Sequence, residues 1–171
     1  MAPLLPVLLD FSAPHAPRFR SADDRVMGGR SGSRLRRTDE GTGVFEGLVS
    51  LDNRGGFASV RGSVPETDLS MAKGVRIRLR GDGRRYRLVL RNDARSSGVS
   101  HMQAFEPPAG KWWEVDLPFD GFEPSVRGKR PPHARPLDPA RIKQVGFLIA
   151  DGTSGPFRLE VAWIRGWDGS A

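Results

Sequence analysis

Val75-Arg76-Ile77-Arg78-Leu79-Arg80-Gly81-Asp82-Gly83-Arg84-Arg85-Tyr86-Arg87-Leu88-Val89-Leu90 alternates apolar and basic residues on either side of a Gly-Asp-Gly turn. Successive side chains of a strand point to opposite faces, so Val75, Ile77 and Leu79 share one face and Arg76, Arg78 and Arg80 the other. After the turn, Tyr86, Leu88 and Leu90 continue the apolar face. The pattern predicts sheet with one face buried. Pairing the two strands would set Arg76, Arg78, Arg80, Arg85, Arg87 and Arg91 in a cationic ladder, and like charges opposite one another destabilise a sheet. Glu114, Asp116 and Glu160 alternate with apolar residues in later segments and are the expected partners of a salt-bridged outer face. The rival expectation is a basic platform for an acidic partner.

The same reading extends outward along the chain. Strands are expected at Val7–Phe11, Val44–Leu51, Phe57–Val64, Met102–Phe105, Trp112–Leu117, Val145–Ile149 and Phe157–Trp163, about nine in all. Val44–Leu51 and Phe57–Val64 flank Asp52-Asn53-Arg54-Gly55-Gly56, which reads as a hairpin. Helix is confined to a turn near Asp68–Ala72 and another at Pro139–Lys143, and residues 127–139, with four prolines, form one long loop. With 21 Gly and 14 Pro spread over 171 residues, a helical bundle is excluded and the expectation is all-β. Residues 1–171 are read as a single β-sandwich or jelly-roll domain.

The chain carries 27 Lys and Arg against 20 Asp and Glu, a net charge of +7. The surplus lies in the first hundred residues, concentrated in Arg18, Arg20, Arg25, Arg30, Arg34, Arg36 and Arg37, opposed locally by Asp23 and Asp24. No nucleic-acid-reading motif accompanies it, so nucleic acid is not an expected partner. There is no cysteine, which excludes disulfides and thiolate metal sites, and His15, His101 and His133 show no zinc-ligand spacing. No metal or cofactor is expected. The apolar start is short, contains two prolines and lacks a basic leader, so the expectation is a cytoplasmic protein that is not integral to a membrane.

Catalytic patterns are weak. Ser70-Met71-Ala72-Lys73 matches S-x-x-K without its companion motifs, and Gly29-Arg30-Ser31-Gly32-Ser33 lacks the last glycine of a nucleophile elbow. No carboxylate pair is singled out for hydrolysis, and a non-enzyme is expected. Adjacent Trp112 and Trp113 should point one to the core and one outward, where an indole can stack on a sugar.

Asp24-Arg25-Val26-Met27-Gly28-Gly29-Arg30-Ser31-Gly32-Ser33, followed by Phe45-Glu46-Gly47-Leu48-Val49-Ser50-Leu51-Asp52-Asn53-Arg54-Gly55-Gly56-Phe57-Ala58-Ser59-Val60-Arg61, resembles the signature of the complex I intermediate-associated protein 30 family. The resemblance runs from about residue 8 to 167, through Gly81–Tyr86, Trp113, Leu117-Pro118-Phe119, Gly146-Phe147 and Gly155–Glu160. Two positions depart from the pattern: Phe19 stands where the family carries Trp, and Asp23 where it carries Asn. Phe19 keeps an aromatic plug, whereas Asp23 adds a charge that would alter a ligand contact.

The resemblance implies a galactose-binding-like β-sandwich. It also implies a bacterial, chaperone-like assembly factor that engages a protein partner, a respiratory-complex subunit or assembly intermediate. The alternative is a carbohydrate- or small-ligand-binding module, since fold alone does not fix function. Gly28-Gly29 and Gly55-Gly56 permit left-handed or closely approaching backbone. One expectation is therefore two interlocked turns, with Met27 and Phe57 plugging the sandwich and Ser31 and Ser59 satisfying buried amides. The other is a polar recess where the two blocks meet, lined by Asp24, Ser31, Asn53, Arg61 and Tyr86.

Overall fold

The computed structural model describes residues 4–95 and 98–171; of Val26 and Met27 it describes the backbone alone, so the expected plug at Met27 falls outside the described residues. Twelve strands form two antiparallel sheets packed face to face. They are β1 (Val7–Asp10), β2 (Phe19–Ser21), β3 (Gly32–Arg37), β4 (Gly43–Val49), β5 (Ala58–Thr67), β6 (Gly74–Arg80), β7 (Tyr86–Arg91), β8 (Ser100–Phe105), β9 (Trp112–Pro118), β10 (Glu123–Ser125), β11 (Ile142–Ile149) and β12 (Gly155–Trp167). Sheet A has the order β3-β4-β12-β6-β9, with β1 also pairing β12; sheet B has the order β10-β8-β7-β11-β5-β2. Helical geometry among the described residues is limited to 3-10 turns at Asp24–Met27, Asp52–Arg54 and Phe119–Gly121. Near Asp68–Ala72 and at Pro139–Ala140 the chain makes turns instead, and Ile142 and Lys143 already belong to β11.

The apolar alternation that opened the sequence reading builds the core. Val75, Ile77, Leu79, Tyr86, Leu88 and Leu90 are all wholly buried. They meet Phe45, Phe147, Phe157 and Leu159 between the sheets. Each such side chain contributes roughly 1.5–3 kcal/mol on burial, which is why two-residue periodicity locates the sheets so well.

Pairing between consecutive strands is where the sequence expectation fails. β4 bonds to β3 and β12, and β5 bonds to β11 and β2, so Val44–Leu51 and Phe57–Val64 lie in opposite sheets and make no hairpin. Asn53 and Arg54 take left-handed φ values of 54° and 61°, and the chain leaves one sheet for the other rather than folding back. β6 and β7 are likewise split between the sheets, so the six arginines form no common ladder. The acids named for sheet A do pair with it: Arg76 with Asp116 at 2.6 Å, Arg78 with Glu114 at 3.2 Å and Arg80 with Glu160 at 2.6 Å.

Candidate functional site

Asp23 sits in extended geometry (φ −92°, ψ 174°), and the 3-10 turn begins at Asp24 and closes at Gly28, whose φ of 88° favours glycine. The turn sends the chain back past its own start. Ser31 then donates its amide to Asp24 Oδ1 at 2.9 Å and its hydroxyl to Oδ2 at 2.7 Å. The second signature block reaches the same carboxylate: the Gly56 and Phe57 amides donate to Oδ2 at 2.7 and 3.2 Å. The Ser50 amide donates to Ser31 Oγ at 2.9 Å and completes the stitch. A Cβ at Gly29 would lie 2.4 Å from Asp24 Cγ, and one at Gly55 2.6 Å from Asp24 Oδ2, so these two glycines are required for close approach.

Asp24 and Ser31 are wholly buried. Burial opposes ionisation of Asp24, yet donation from the Ser31 hydroxyl and the Gly56, Ser31 and Phe57 amides holds its carboxyl below the usual range. Asp23 makes a parallel latch. It accepts the Ser33 amide at 3.0 Å, the Ser33 hydroxyl at 2.5 Å and the Ser59 amide at 2.9 Å. Ser59 in turn donates its hydroxyl to the Ala22 carbonyl at 2.5 Å.

Beside this knot runs an open groove of about 950 Å³. Ser21, Asp23, Arg25 and Ser33 line it together with Glu46 and Gly47 of β4 and with Asp82, Pro156 and Arg158. Its carboxylates are already engaged. Glu46 receives Arg34 and Arg36, at 3.1 and 2.9 Å, and Asp82 accepts the Tyr86 hydroxyl at 2.9 Å and the Arg158 amide at 2.8 Å. The groove is thus lined by guanidinium-bearing Arg25, Arg34 and Arg158 beside Pro156, while the Phe157 ring is turned into the core. Among the described residues, no group of three or more His, Asp or Glu is placed to hold a metal ion.

The signature glycines and serines meet as interlocked turns, but the five polar residues expected to line a recess separate. Asp24 and Ser31 are interior to the knot, and Asn53 is exposed on its 3-10 turn. Arg61 stands half-buried on β5, opposite Arg20. Tyr86 is in the core, its ring stacked on Phe105 with centroids 6.2 Å apart. Phe57 is only half-buried and lies outside the core cluster, so it is no plug. Trp113 packs against the core, and Trp112 faces outward, with the guanidinium carbons of Arg78 and Arg80 at 5.2 and 5.0 Å from its ring centre. Groove-lining Asp23 carries the charge expected beside a ligand contact, and Ser33 joins it there. Their signal is the nesting of two Asp–Ser pairs, Asp24 with Ser31 inside Asp23 with Ser33, which suits a turn that folds back on itself.

The fold and the knot together define a galactose-binding-like β-sandwich. Solved structures agree on the fold alone. The family 11 carbohydrate-binding module of a Clostridium thermocellum cellulase superposes with a TM-score of 0.68 at 17% identity, covering 98% of this chain and 96% of the module. The same module in complex with a mixed-linked tetrasaccharide gives 0.67, also at 17% identity. The chain belongs to the Complex I intermediate-associated protein 30 family, whose model matches residues 9–161. Mouse mitochondrial complex I intermediate-associated protein 30 is 26% identical over 161 residues, 82% of this chain and 49% of the mouse protein. An uncharacterised Schizosaccharomyces pombe protein is 28% identical over 172 residues, 88% of this chain and 78% of its own length. The chain therefore spans about half the length of the mouse relative.

Proposed function

We propose that this chain is a non-catalytic module that engages a protein partner during assembly of a larger complex, a respiratory-complex subunit or intermediate being the first candidate. The observation that supports it is the family match over residues 9–161. The site chemistry is in keeping: the signature carboxylate Asp24 and its neighbour Asp23 are saturated by amides and hydroxyls within the fold, so they act as latches rather than as acids or bases. Crosslinking the tagged chain in its native host tests the reading. Reproducible recovery of one protein complex is expected, and recovery of none would overturn it.

The glycan-binding alternative draws on fold likeness alone. An indole platform for a sugar needs a free ring face, whereas Trp112 carries Arg78 and Arg80, and Trp163 carries Arg165 at 4.2 Å. Tryptophan fluorescence titration against a glycan panel should accordingly show no saturable change. A cytoplasmic location is part of the same proposal, set against relatives named mitochondrial; no helix among the described residues is long and apolar enough to cross a membrane. Fractionation of the native host checks it.

A further inference from the structure

The rest of the chain treats the arginines of the two outer faces differently. On sheet A, Arg34 and Arg36 of β3 and the three arginines of β6 find carboxylates at 2.6–3.2 Å, while Arg37 donates to the Phe11 and Ala13 carbonyls and Arg165 lies over the Trp163 ring. On sheet B, Arg20, Arg61, Arg85, Arg87 and Arg91 have no ion pair among the described residues. Register places Glu123, Met102, Val89, Gly146, Arg61 and Arg20 in one row across the six strands, so two guanidinium-bearing residues are direct cross-strand neighbours with no acid between them. Such like-charge pairing costs stability.

Arg91 sharpens the imbalance. It is 1% exposed and donates to Gln144 Oε1 at 3.2 Å and to the Arg95 carbonyl at 2.5 Å, while its Nε finds no partner among the described residues. Burial, and then the charge of Arg61, pull the proton affinity of Arg91 below its ordinary value, and burial does the same to Arg61. Between the charges lies an apolar strip. Val89, 4% exposed, stands opposite Met102 on one side and opposite buried Gly146 on the other, so the strip is open to solvent only toward half-buried Met102 and Ala104. Arg85 and Arg87 flank the strip where Met102 and Ala104 line a groove of about 410 Å³.

We propose that the outer face of sheet B receives an acidic segment of a protein partner, its carboxylates on Arg61 and Arg87 and its apolar side chains on half-buried Met102 and Ala104. The proposal rests on the protein-partner reading and adds the partner's chemistry. A nucleic-acid backbone fits this face less well, because the cationic row ends in Glu123 and its centre is aliphatic rather than aromatic.

Fluorescence anisotropy of a labelled peptide alternating glutamate with leucine, beside its glutamine counterpart, tests it on the full chain. The acidic peptide should bind in a salt-dependent way and weaken about tenfold when Arg61→Glu and Arg87→Glu are combined. The charge-matched control on sheet A, Arg78→Glu with Arg165→Glu, lies away from the candidate groove and should leave it unchanged. Equal binding of the glutamine peptide, equal loss in the control, or an Arg61- and Arg87-dependent preference for single-stranded DNA or phosphatidylserine vesicles would overturn the proposal. Crosslinking in the native host separates the two ideas. A partner captured equally by wild type and the sheet B variant defeats the acidic face but leaves the protein-partner reading intact, whereas no partner with wild type defeats that reading.

Discussion

The Asp24 carboxylate and the Gly56 amide, 32 residues apart in the chain, are joined by a 2.7 Å hydrogen bond in the interior of the knot. Everything between them, including the β3–β4 pair, is a closed loop whose ends this contact fixes. A buried anion held by amides and a hydroxyl is strong only while every donor keeps its acceptor.

Asp24→Asn should therefore be severe. One carboxylate oxygen becomes an NH2 facing backbone N–H groups, and the loss should be about 3 kcal/mol in urea unfolding. Asp24 also sets a pH dependence. Because its folded pKa is depressed, the stabilisation is complete above the unfolded value near 3.8 and is lost as pH falls through the folded value. Acid unfolding of wild type should be steeper below pH 3.8 than that of the Asn variant.

Gly29→Ala tests close approach without invoking turn strain, because Gly29 is not among the positive-φ glycines. Its new methyl would meet Asp24 Cγ at 2.4 Å, so roughly 2 kcal/mol should be lost by overpacking, read as a lowered thermal midpoint.

The ion pairs of sheet A should divide by burial. Arg80→Gln strips Glu160, itself 2% exposed, of its 2.6 Å partner and leaves it the Thr42 hydroxyl at 2.7 Å and Arg158 at 3.7 Å. About 2–3 kcal/mol should be lost on chemical denaturation. Arg34→Gln, whose side chain is 70% exposed, should cost under about 0.5 kcal/mol.

Tyr86 is the one tyrosine of the chain, so its ionisation is directly visible by ultraviolet absorbance. Burial first, and then the charge of Asp82 and the hydrogen bond to it, push the phenol well above its ordinary 10.0. A raised folded pKa means the stabilisation is full below pH 10.0 and is withdrawn as pH rises beyond it. Alkaline titration should show no phenolate until the protein unfolds; Tyr86→Phe should weaken folding at neutral pH by about 1 kcal/mol.

The core was legible because β6, β7, β9 and β12 alternate over enough residues to mark an inner face. The strands that escaped are β2, β3 and β10, edge strands of three to six residues, whereas β9, also an edge, is seven residues long and alternates. β3, Gly-Ser-Arg-Leu-Arg-Arg, offers only half-buried Leu35 as an apolar signal, and the backbone hydrogen bonds that pair it with β4 leave no mark on side-chain type. The false hairpin has a related cause. Asp52-Asn53-Arg54-Gly55-Gly56 declares that the chain turns, but not that the next strand joins another sheet, a choice made by distant Asp24 gripping Gly56 and Phe57. At the site, the two blocks were legible as turns that meet. Asp23 was read for its charge toward a ligand, while its grip on Ser33 and Ser59 depends on three segments brought together only by folding.

β12, the last strand in chain order, lies between β4 and β6 and also carries β1. Before residues 155–167 leave the ribosome, the β3–β4 ribbon and the β6–β9 ribbon have no common strand to join them, and sheet A does not exist. Folding is therefore held back until synthesis has passed Trp167. A nascent chain stalled short of Gly155 would leave the inner edges of β4 and β6 unpaired, whereas one released past Trp167 can zip both ribbons onto a single template.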